Sequence, residues 1–208
     1  DLTEYSRKAG KQVVRLAKAG ITPSMIMTKE AFRNAIVVHS AIGGSTNALI
    51  HLPAIAKELG IELDPELFNE INRKIPHIGN VNPSGKHLTE SFWFAGGIPM
   101  VQVMLKDHLD LDVLTVTGKT LGENLEEIQR DGFFERNIGY LHNYGLERED
   151  VITPVETTKE MGSIAVLKGN LAPEGAVVKY SACEESMRKH QGKAVVFNCE
   201  EDAHDAVV

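Results

Sequence analysis

The chain has 208 residues, of which 42% are hydrophobic and 25% are charged, and its formal net charge is -7. These proportions are close to those of an average globular protein and exclude wholesale disorder. Lysine and arginine are scattered along this acidic chain, which argues against a nucleic-acid partner or an anionic membrane surface. No apolar run approaches the roughly 20 residues that span a bilayer, and the first residues lack the features of a signal peptide. We therefore expect a cytoplasmic protein.

Helical spacing of apolar residues, together with capping residues, predicts a helix-rich first part of the chain. The second helix should begin after Thr28, a good N-cap, and end where Gly43 and Gly44 break the pattern. The third helix is apolar on nearly all sides, so we expect it to be buried, and Pro53 within it predicts a kink near residue 50. In chain order, the predicted helices cover residues 5–19, 29–42, 48–59, 65–73, 88–94, 98–105 and 118–128.

The composition changes after about residue 150, where short β-branched runs are bounded by glycines and a proline. Strands are predicted at 164–167, 176–178 and 194–197, besides an earlier one at 113–116, and a last helix should open near Glu201. The sequence therefore predicts an α/β fold class. Residues 1–150 would be the C-terminal part of an α/β domain, and residues 151–208 the start of a β-rich domain. Three strands are few for independent stability, which indicates an incomplete molecule.

One loop, Gly43-Gly44-Ser45-Thr46-Asn47, has the composition of a ligand site. Paired glycines allow close backbone approach, and the start of the following helix offers free N–H groups and a positive dipole end to a carboxylate or phosphate. The alternative is that these residues only end one helix and begin the next, with glycine as the stop and Ser45 as an N-cap. Local chemistry alone favours this alternative.

The other motifs give weaker evidence for a functional site. The segment Thr115–Thr120 ends in Gly-Lys-Thr, but a nucleotide P-loop needs a glycine where Val113 stands, so we reject that reading. The turn Pro83-Ser84-Gly85-Lys86 is equally well read as functional or as an exposed turn. The histidines do not have metal-ligand spacing. Cys183 and Cys199 lie beside acidic residues, which make a thiol less reactive, and we interpret both as ordinary free thiols.

Together these stretches resemble the dihydroxy-acid and phosphogluconate dehydratases. The resemblance is carried by four blocks in the family's order: 43–56 (Gly-Gly-Ser-Thr-Asn-Ala through His51-Leu52 to Ala54-Ile55-Ala56), 83–86 with 95–99, 114–121, and 167–177. It implies an α/β domain with a parallel sheet followed by a β-barrel-like domain.

The resemblance also implies an enzyme, a hydro-lyase that converts a 2,3-dihydroxy carboxylic acid to a 2-keto acid. Members of the family use an iron–sulfur cluster and Mg²⁺, and a metal centre suits the poor hydroxide leaving group. The family's metal and catalytic residues lie upstream and downstream of the matched region. We therefore assign no catalytic or metal role within this chain, expect no cofactor bound to it alone, and assign Gly44, Ser45 and Thr46 to substrate binding.

The substrate stays open between two branches of the family. Residues 179–182 and 190–197 look more like a sugar-acid dehydratase than like dihydroxy-acid dehydratase of branched-chain amino-acid biosynthesis, so we favour a sugar acid. The partner would be a small carboxylate, with no nucleic acid and no membrane, and the intact protein would be a homo-oligomer, a dimer or a tetramer. The alternatives are a catalytically inactive fragment and a small-anion-binding module.

Overall fold

The computed structural model describes residues 2–158 and 162–207. Among these residues no helix has the length and apolar character needed to cross a membrane. The α-helices of the described residues are α1 (Leu2–Lys18), α2 (Pro23–Ile26), α3 (Lys29–Ile42), α4 (Ala48–Glu58), α5 (Pro65–Asn72), α6 (Thr89–Phe94), α7 (Gly97–Met104), α8 (Leu121–Arg130), α9 (Phe133–His142), α10 (Arg148–Val151) and α11 (Glu200–Val207). The strands are β1 (Ala165–Leu167) and β2 (Ala176–Val178). The predicted α/β fold class, with a helix-rich first part, is confirmed.

Side-chain caps explain where the helices begin. The hydroxyl of Thr28 accepts the amide of Ala31 at the start of α3, and the carboxylate of Asp64 accepts the amide of Glu66 at the start of α5. Thr120 opens α8 with a complete capping box. Each cap satisfies an amide that the helix leaves without an internal partner, and is worth about 1 kcal/mol.

Helix α3 forms the centre of the core. It packs against α5 and α7, and its Ile36 and Val37 are fully buried, as are Phe68 of α5 and Val101 of α7. Burying a side chain of this size stabilises a fold by about 1.5–3 kcal/mol. The core therefore lies along α3, and the end of this helix leads from the core into the glycine loop.

Two asparagines of α5 hold the start of the second part of the chain. The Oδ1 atom of Asn72 accepts the amides of Ser163 (2.9 Å) and Ile164 (3.1 Å). One turn earlier, Asn69 donates to the carbonyl of Val166 and accepts its amide, at 2.9 and 2.8 Å. Because these buried or half-buried amides satisfy backbone groups of the segment that leads into β1, they fix its position on α5.

The described residues contain a single sheet, in which β1 pairs antiparallel with β2 and Val166 lies opposite Val177. The parallel sheet expected from the family resemblance is therefore not present in these ranges. The prediction of a strand at 113–116 was wrong, since this stretch makes only an isolated bridge between Leu114 and Thr120. The prediction at 194–197 was also wrong: Val195 and Val196 are 73% and 86% exposed, and a strand forms only where a neighbouring strand pairs with it.

Helix α4 departs from the expectation that it would be buried. Only Ala56 is buried, Ile50 is 70% exposed, and the similarly exposed α1 buries no residue. An apolar helix is buried only where another surface covers it, and among the described residues α4 packs against the core through one face only, with Leu52 and Ala56. Helix α9, by contrast, was missed, although Phe134 and Leu141 place buried side chains on one of its faces.

Candidate functional site

The glycine loop begins where α3 ends in a left-handed turn. Gly43 has φ 67° and ψ 49°, a conformation that glycine adopts without strain. A Cβ at this position would lie 2.9 Å from Nε2 of His77 and 3.4 Å from Oγ of Ser84. Gly43 is therefore required both for its backbone conformation and for the close approach of two polar side chains.

His39, one turn before Gly43, holds the loop in place. Its Nε2 atom lies 2.8 Å from the carbonyl oxygen of Ser45, and because a carbonyl can only accept, the Nε2 hydrogen must be the donor. Burial lowers the pKa of His39, the bond to Ser45 partly offsets this, and the charge of Lys179 lowers the pKa further. The ring is therefore neutral near pH 7, and its buried Nδ1 atom is an acceptor without a partner among the described residues.

Gly44, Ser45 and Thr46, which we assigned to substrate binding, lie in the loop that this hydrogen bond supports. Ser45 is exposed and its Oγ accepts the amide of Asn47 at 3.3 Å, so it stabilises the turn before α4. It does not cap α4, which begins at Ala48 after an N-cap position held by Asn47. Thr46 is half-buried, and within the described ranges its hydroxyl takes part in no hydrogen bond. The role of Gly44, Ser45 and Thr46 in binding substrate stays a prediction.

The Pro83–Gly85 turn also lies against the glycine loop, at Gly43. It begins with a cis peptide bond between Asn82 and Pro83, and Gly85 packs so closely on the backbone of Asn80 that a larger residue has no room. Ser84 thereby faces Gly43, and its Oγ accepts a 3.0 Å hydrogen bond from Oγ of Ser181. The sequence singled out this turn without linking it to the glycine loop.

Lys179 is the cation whose charge contributes to the lowered pKa of His39. Its side chain is half-buried, burial lowers its pKa, and it makes no ion pair with any residue that the structure describes. Lys8 and Lys119, by comparison, pair with Glu4 and Glu127. Sequence reasoning missed His39, Lys179 and Ser181. A signal existed only for His39, which stands one helical turn before the glycine stop.

An open groove of about 590 Å³ adjoins the loop. His39 and Ile42 form the wall nearest the glycines, and the rest of the lining is mostly apolar. The other lining residues include Phe32, Val38, Leu52, Ile55 and Ile98. A mixed surface of this kind, with few polar groups beside apolar walls, is typical of small-molecule sites.

The donor atoms of this chain do not fit a metal cluster. Cys183 lies with its Sγ 3.6 Å from the carbonyl of Glu184, and Cys199 is exposed on another segment. No group of three or more histidine, cysteine, aspartate or glutamate side chains is placed to hold a metal ion in residues 2–158 and 162–207. Iron–sulfur clusters need several thiolates together, which these two separate thiols do not provide.

Two family models match the chain. The one described as "Dihydroxy-acid/6-phosphogluconate dehydratase N-terminal" covers residues 1–124, and its C-terminal counterpart covers residues 150–208. The chain belongs to the dihydroxy-acid/6-phosphogluconate dehydratase family, as the resemblance of its motifs indicated.

Curated proteins of this family are similar in sequence to this chain along nearly its whole length. It is 45% identical over 206 residues to a dihydroxy-acid dehydratase of Halothermothrix orenii, covering 98% of this chain and 34% of that protein. The dihydroxy-acid dehydratases of Methanothermobacter thermautotrophicus and Methanosarcina barkeri are 40% and 42% identical, with 98% of this chain and 35% of each relative covered. The chain therefore spans about a third of the length of the curated relatives it matches.

Proposed function

We propose that this chain is part of a dihydroxy-acid dehydratase, a hydro-lyase that removes water from a 2,3-dihydroxy acid to give a 2-keto acid. The observation that carries the proposal is the 45% identity over 98% of the chain to a protein of that name. The family matches to both parts of the chain support the same activity.

The substrate we propose is an aliphatic dihydroxy acid. The sequence favoured a sugar acid, but the relatives reported above are all named dihydroxy-acid dehydratase, which supports the alternative. The groove beside Gly43 supports it too, because Ile42 and Leu52 would contact an aliphatic substituent favourably. The hydroxyls of a sugar acid would lose water there without gaining partners, at a cost of a few kcal/mol each.

Within this reaction the glycine loop would hold the substrate. Gly44 leaves room for the His39 ring that supports the loop, Thr46 has a hydroxyl free to bond a substrate oxygen, and Ser45 is exposed at the turn before α4. The amides at the start of α4 add donors and a partial positive charge. His39, through its bond to Ser45, would orient this loop rather than exchange protons with the substrate.

The iron–sulfur cluster and Mg²⁺ implied by the family would be held by other parts of the intact protein. The separate thiols Cys183 and Cys199 do not fit either group, so this chain contributes no step through them. By itself the chain would be inactive. The intact protein would act as a homo-oligomer on a small carboxylate.

The test is an assay of the full-length protein, prepared anaerobically, with 2,3-dihydroxy-3-methylbutanoate and with gluconate in parallel. We expect keto-acid formation from the first, with kcat/KM at least tenfold above that for gluconate. A preference for gluconate would restore the sugar-acid assignment. The absence of keto acid from both substrates, in protein that contains its metals, would overturn the proposal.

A further inference from the structure

We propose that Ser84 is a further binding residue beside the glycine loop, and that its hydroxyl, held by Ser181, donates a hydrogen bond to a carboxylate or 2-hydroxyl oxygen of the substrate. Ser181 would be a positioning residue, since it acts on the substrate only through Ser84. The identity of the ligand rests on the proposed function, whereas the position of the two serines does not.

The turn that carries Ser84 is fixed against the glycine loop. Its Oγ atom lies 3.4 Å from the position that a Cβ of Gly43 would take, so this hydroxyl lies at the first residue of the loop. Gly85 packs on the backbone of Asn80, and the amide of Lys86 donates to Oδ1 of Asn80 over 3.0 Å. Because these contacts fix the backbone immediately after Ser84, its side chain keeps its place at Gly43.

The hydroxyl of Ser84 has a hydrogen available for a ligand. The Oγ of Ser181 donates to Ser84 over 3.0 Å, and the carbonyl oxygen of Ser163, at 3.5 Å, is too distant to compete for that hydrogen. A serine hydroxyl accepts as well as donates, so Ser84 accepts from Ser181 and keeps its own hydrogen. No described residue accepts this hydrogen, whereas the hydroxyl of Thr117 donates to Asn124. Ser84 is half-buried, so its hydroxyl is within reach of a ligand at the loop.

The core of the protein holds Ser181 in place. The amide of Ser181 donates to the carbonyl of Ser163 over 3.2 Å, and the amide of Ser163 donates to Oδ1 of Asn72. Asn72 in turn donates to the carbonyl of Phe68, which is fully buried. Because these bonds lead from the core to the hydroxyl of Ser84, that hydroxyl is oriented before a ligand arrives, which lowers the cost of ordering it on binding.

The proposed substrate offers suitable acceptors to this hydroxyl. A 2,3-dihydroxy acid has acceptor oxygens on its carboxylate and on both hydroxyls, and an ionised carboxylate accepts the stronger hydrogen bonds. The 3-hydroxyl leaves in the proposed reaction, whereas the carboxylate and the oxygen on C2 remain in the product. A donor at Ser84 would therefore hold one of these two groups throughout the reaction.

The kinetic test uses the full-length protein with Ser84→Ala and the matched control Ser186→Ala, which removes an exposed hydroxyl from the same segment as Ser181. We expect Ser84→Ala to raise KM about 2- to 12-fold with a smaller change in kcat, because one hydrogen bond to the substrate is lost. Ser186→Ala should behave as wild type. Equal KM values for the two variants would overturn the inference.

The positioning role of Ser181 has its own test in the same assay. Ser181→Ala should raise KM less than Ser84→Ala does, and Ser181→Thr, which keeps the hydroxyl, should restore the wild-type value. The double variant Ser84→Ala, Ser181→Ala should have the KM of Ser84→Ala alone, because Ser181 acts through Ser84. Additive increases in KM would show that Ser181 acts independently and would refute its positioning role.

A binding measurement separates this inference from the proposed function, because it needs no turnover. Calorimetry gives the affinity of the full-length protein for 2-hydroxy-3-methylbutanoate, which lacks the 3-hydroxyl and cannot be dehydrated to a keto acid. We expect Ser84→Ala to weaken this affinity about 2- to 12-fold and Ser186→Ala to leave it unchanged. That difference in a protein that forms no keto acid would refute only the dehydratase assignment. Equal affinities, or no binding by the wild type, would overturn the inference even if the enzyme proved active.

Discussion

The imidazole of His39 fills the space that a side chain at Gly44 would need. Gly44, unlike Gly43, does not have a positive φ, so a glycine is required there for space and not for backbone conformation. The ring in turn donates to the carbonyl of the next residue, Ser45. His39 and Gly44 are therefore complementary in shape, and the ring supports the path of the loop.

Gly44→Ala should displace the ring of His39. Forcing one carbon atom into a filled space typically destabilises a protein by about 1–3 kcal/mol, and we expect a loss in that range from urea unfolding. Gly10→Ala is the matched control, because nothing lies near a Cβ at that position of α1 and alanine favours a helix. A Gly44→Ala protein as stable as the Gly10→Ala protein would show that His39 does not fill this space.

The lowered pKa of His39 makes stability depend on pH. The unfolded chain binds the proton at its ordinary pKa of about 6.5, whereas the folded chain binds it only at lower pH. Stability should therefore be complete above about pH 6.5 and fall as the pH decreases below it, because the unfolded state takes up more protons. Unfolding free energies measured between about pH 5 and 7.5 test this.

The control for this prediction is His39→Gln, which keeps a side-chain N–H but cannot be protonated. It should flatten the pH dependence in that range, because position 39 then carries no titratable group. Glu30 and Glu123 also have lowered pKa values, but they affect stability only below about pH 4.5 and so do not contribute to the slope in this range. An unchanged slope in His39→Gln would contradict the assignment.

Asn72→Ala should loosen the junction between α5 and β1. The substitution leaves the buried amides of Ser163 and Ile164 without an acceptor, and each such loss costs about 1–3 kcal/mol. We expect destabilisation by about 3 kcal/mol and faster hydrogen exchange of both amides. Asn143→Ala, at the exposed end of α9, is the control and should change neither. Slow exchange at Ile164 in the Asn72→Ala protein would count against this role.

Thr46→Val and Ser45→Ala separate a binding role of the loop from a structural one. In the full-length enzyme, Thr46→Val should lower kcat/KM about 2- to 12-fold if its free hydroxyl bonds the substrate, with the melting temperature unchanged. Ser45→Ala should cost up to about 1 kcal/mol of stability, because Ser45 supports the amide of Asn47. Unchanged kcat/KM values for both variants would show that these residues only end α3 and begin α4.

The exposed apolar side chains of α1 and α4 should make the isolated chain self-associate. Val13 of α1 and Ile50 of α4 are 61% and 70% exposed. Light scattering at rising concentration should show oligomers, and Val13→Lys with Ile50→Lys should reduce them without lowering the melting temperature. Lys57→Glu, an exposed charge change on α4, is the control. A compact monomer with a cooperative, high-temperature melt would contradict this expectation.

Local chemistry was enough to predict most of the helices and the glycine loop. The starts of α3 and α5 follow from the capping side chains of Thr28 and Asp64, which act within a few residues of themselves. The end of α3 follows from Gly43, because a left-handed residue stops a helix whatever surrounds it. These interactions lie within a single turn, so the order of the amino acids determines them.

Tertiary structure decided what depends on partners distant in sequence. Ser84 meets Ser181, and Asn72 meets Ser163, across about 90 residues or more, and no periodicity indicates such contacts. The exposure of α4 and the missing strand at 194–197 have the same cause, since burial and strand pairing need a second surface. The charge of Lys179 lowers the pKa of His39 only because the fold brings these two distant residues near each other, whereas the glycines of the loop were visible in the sequence itself.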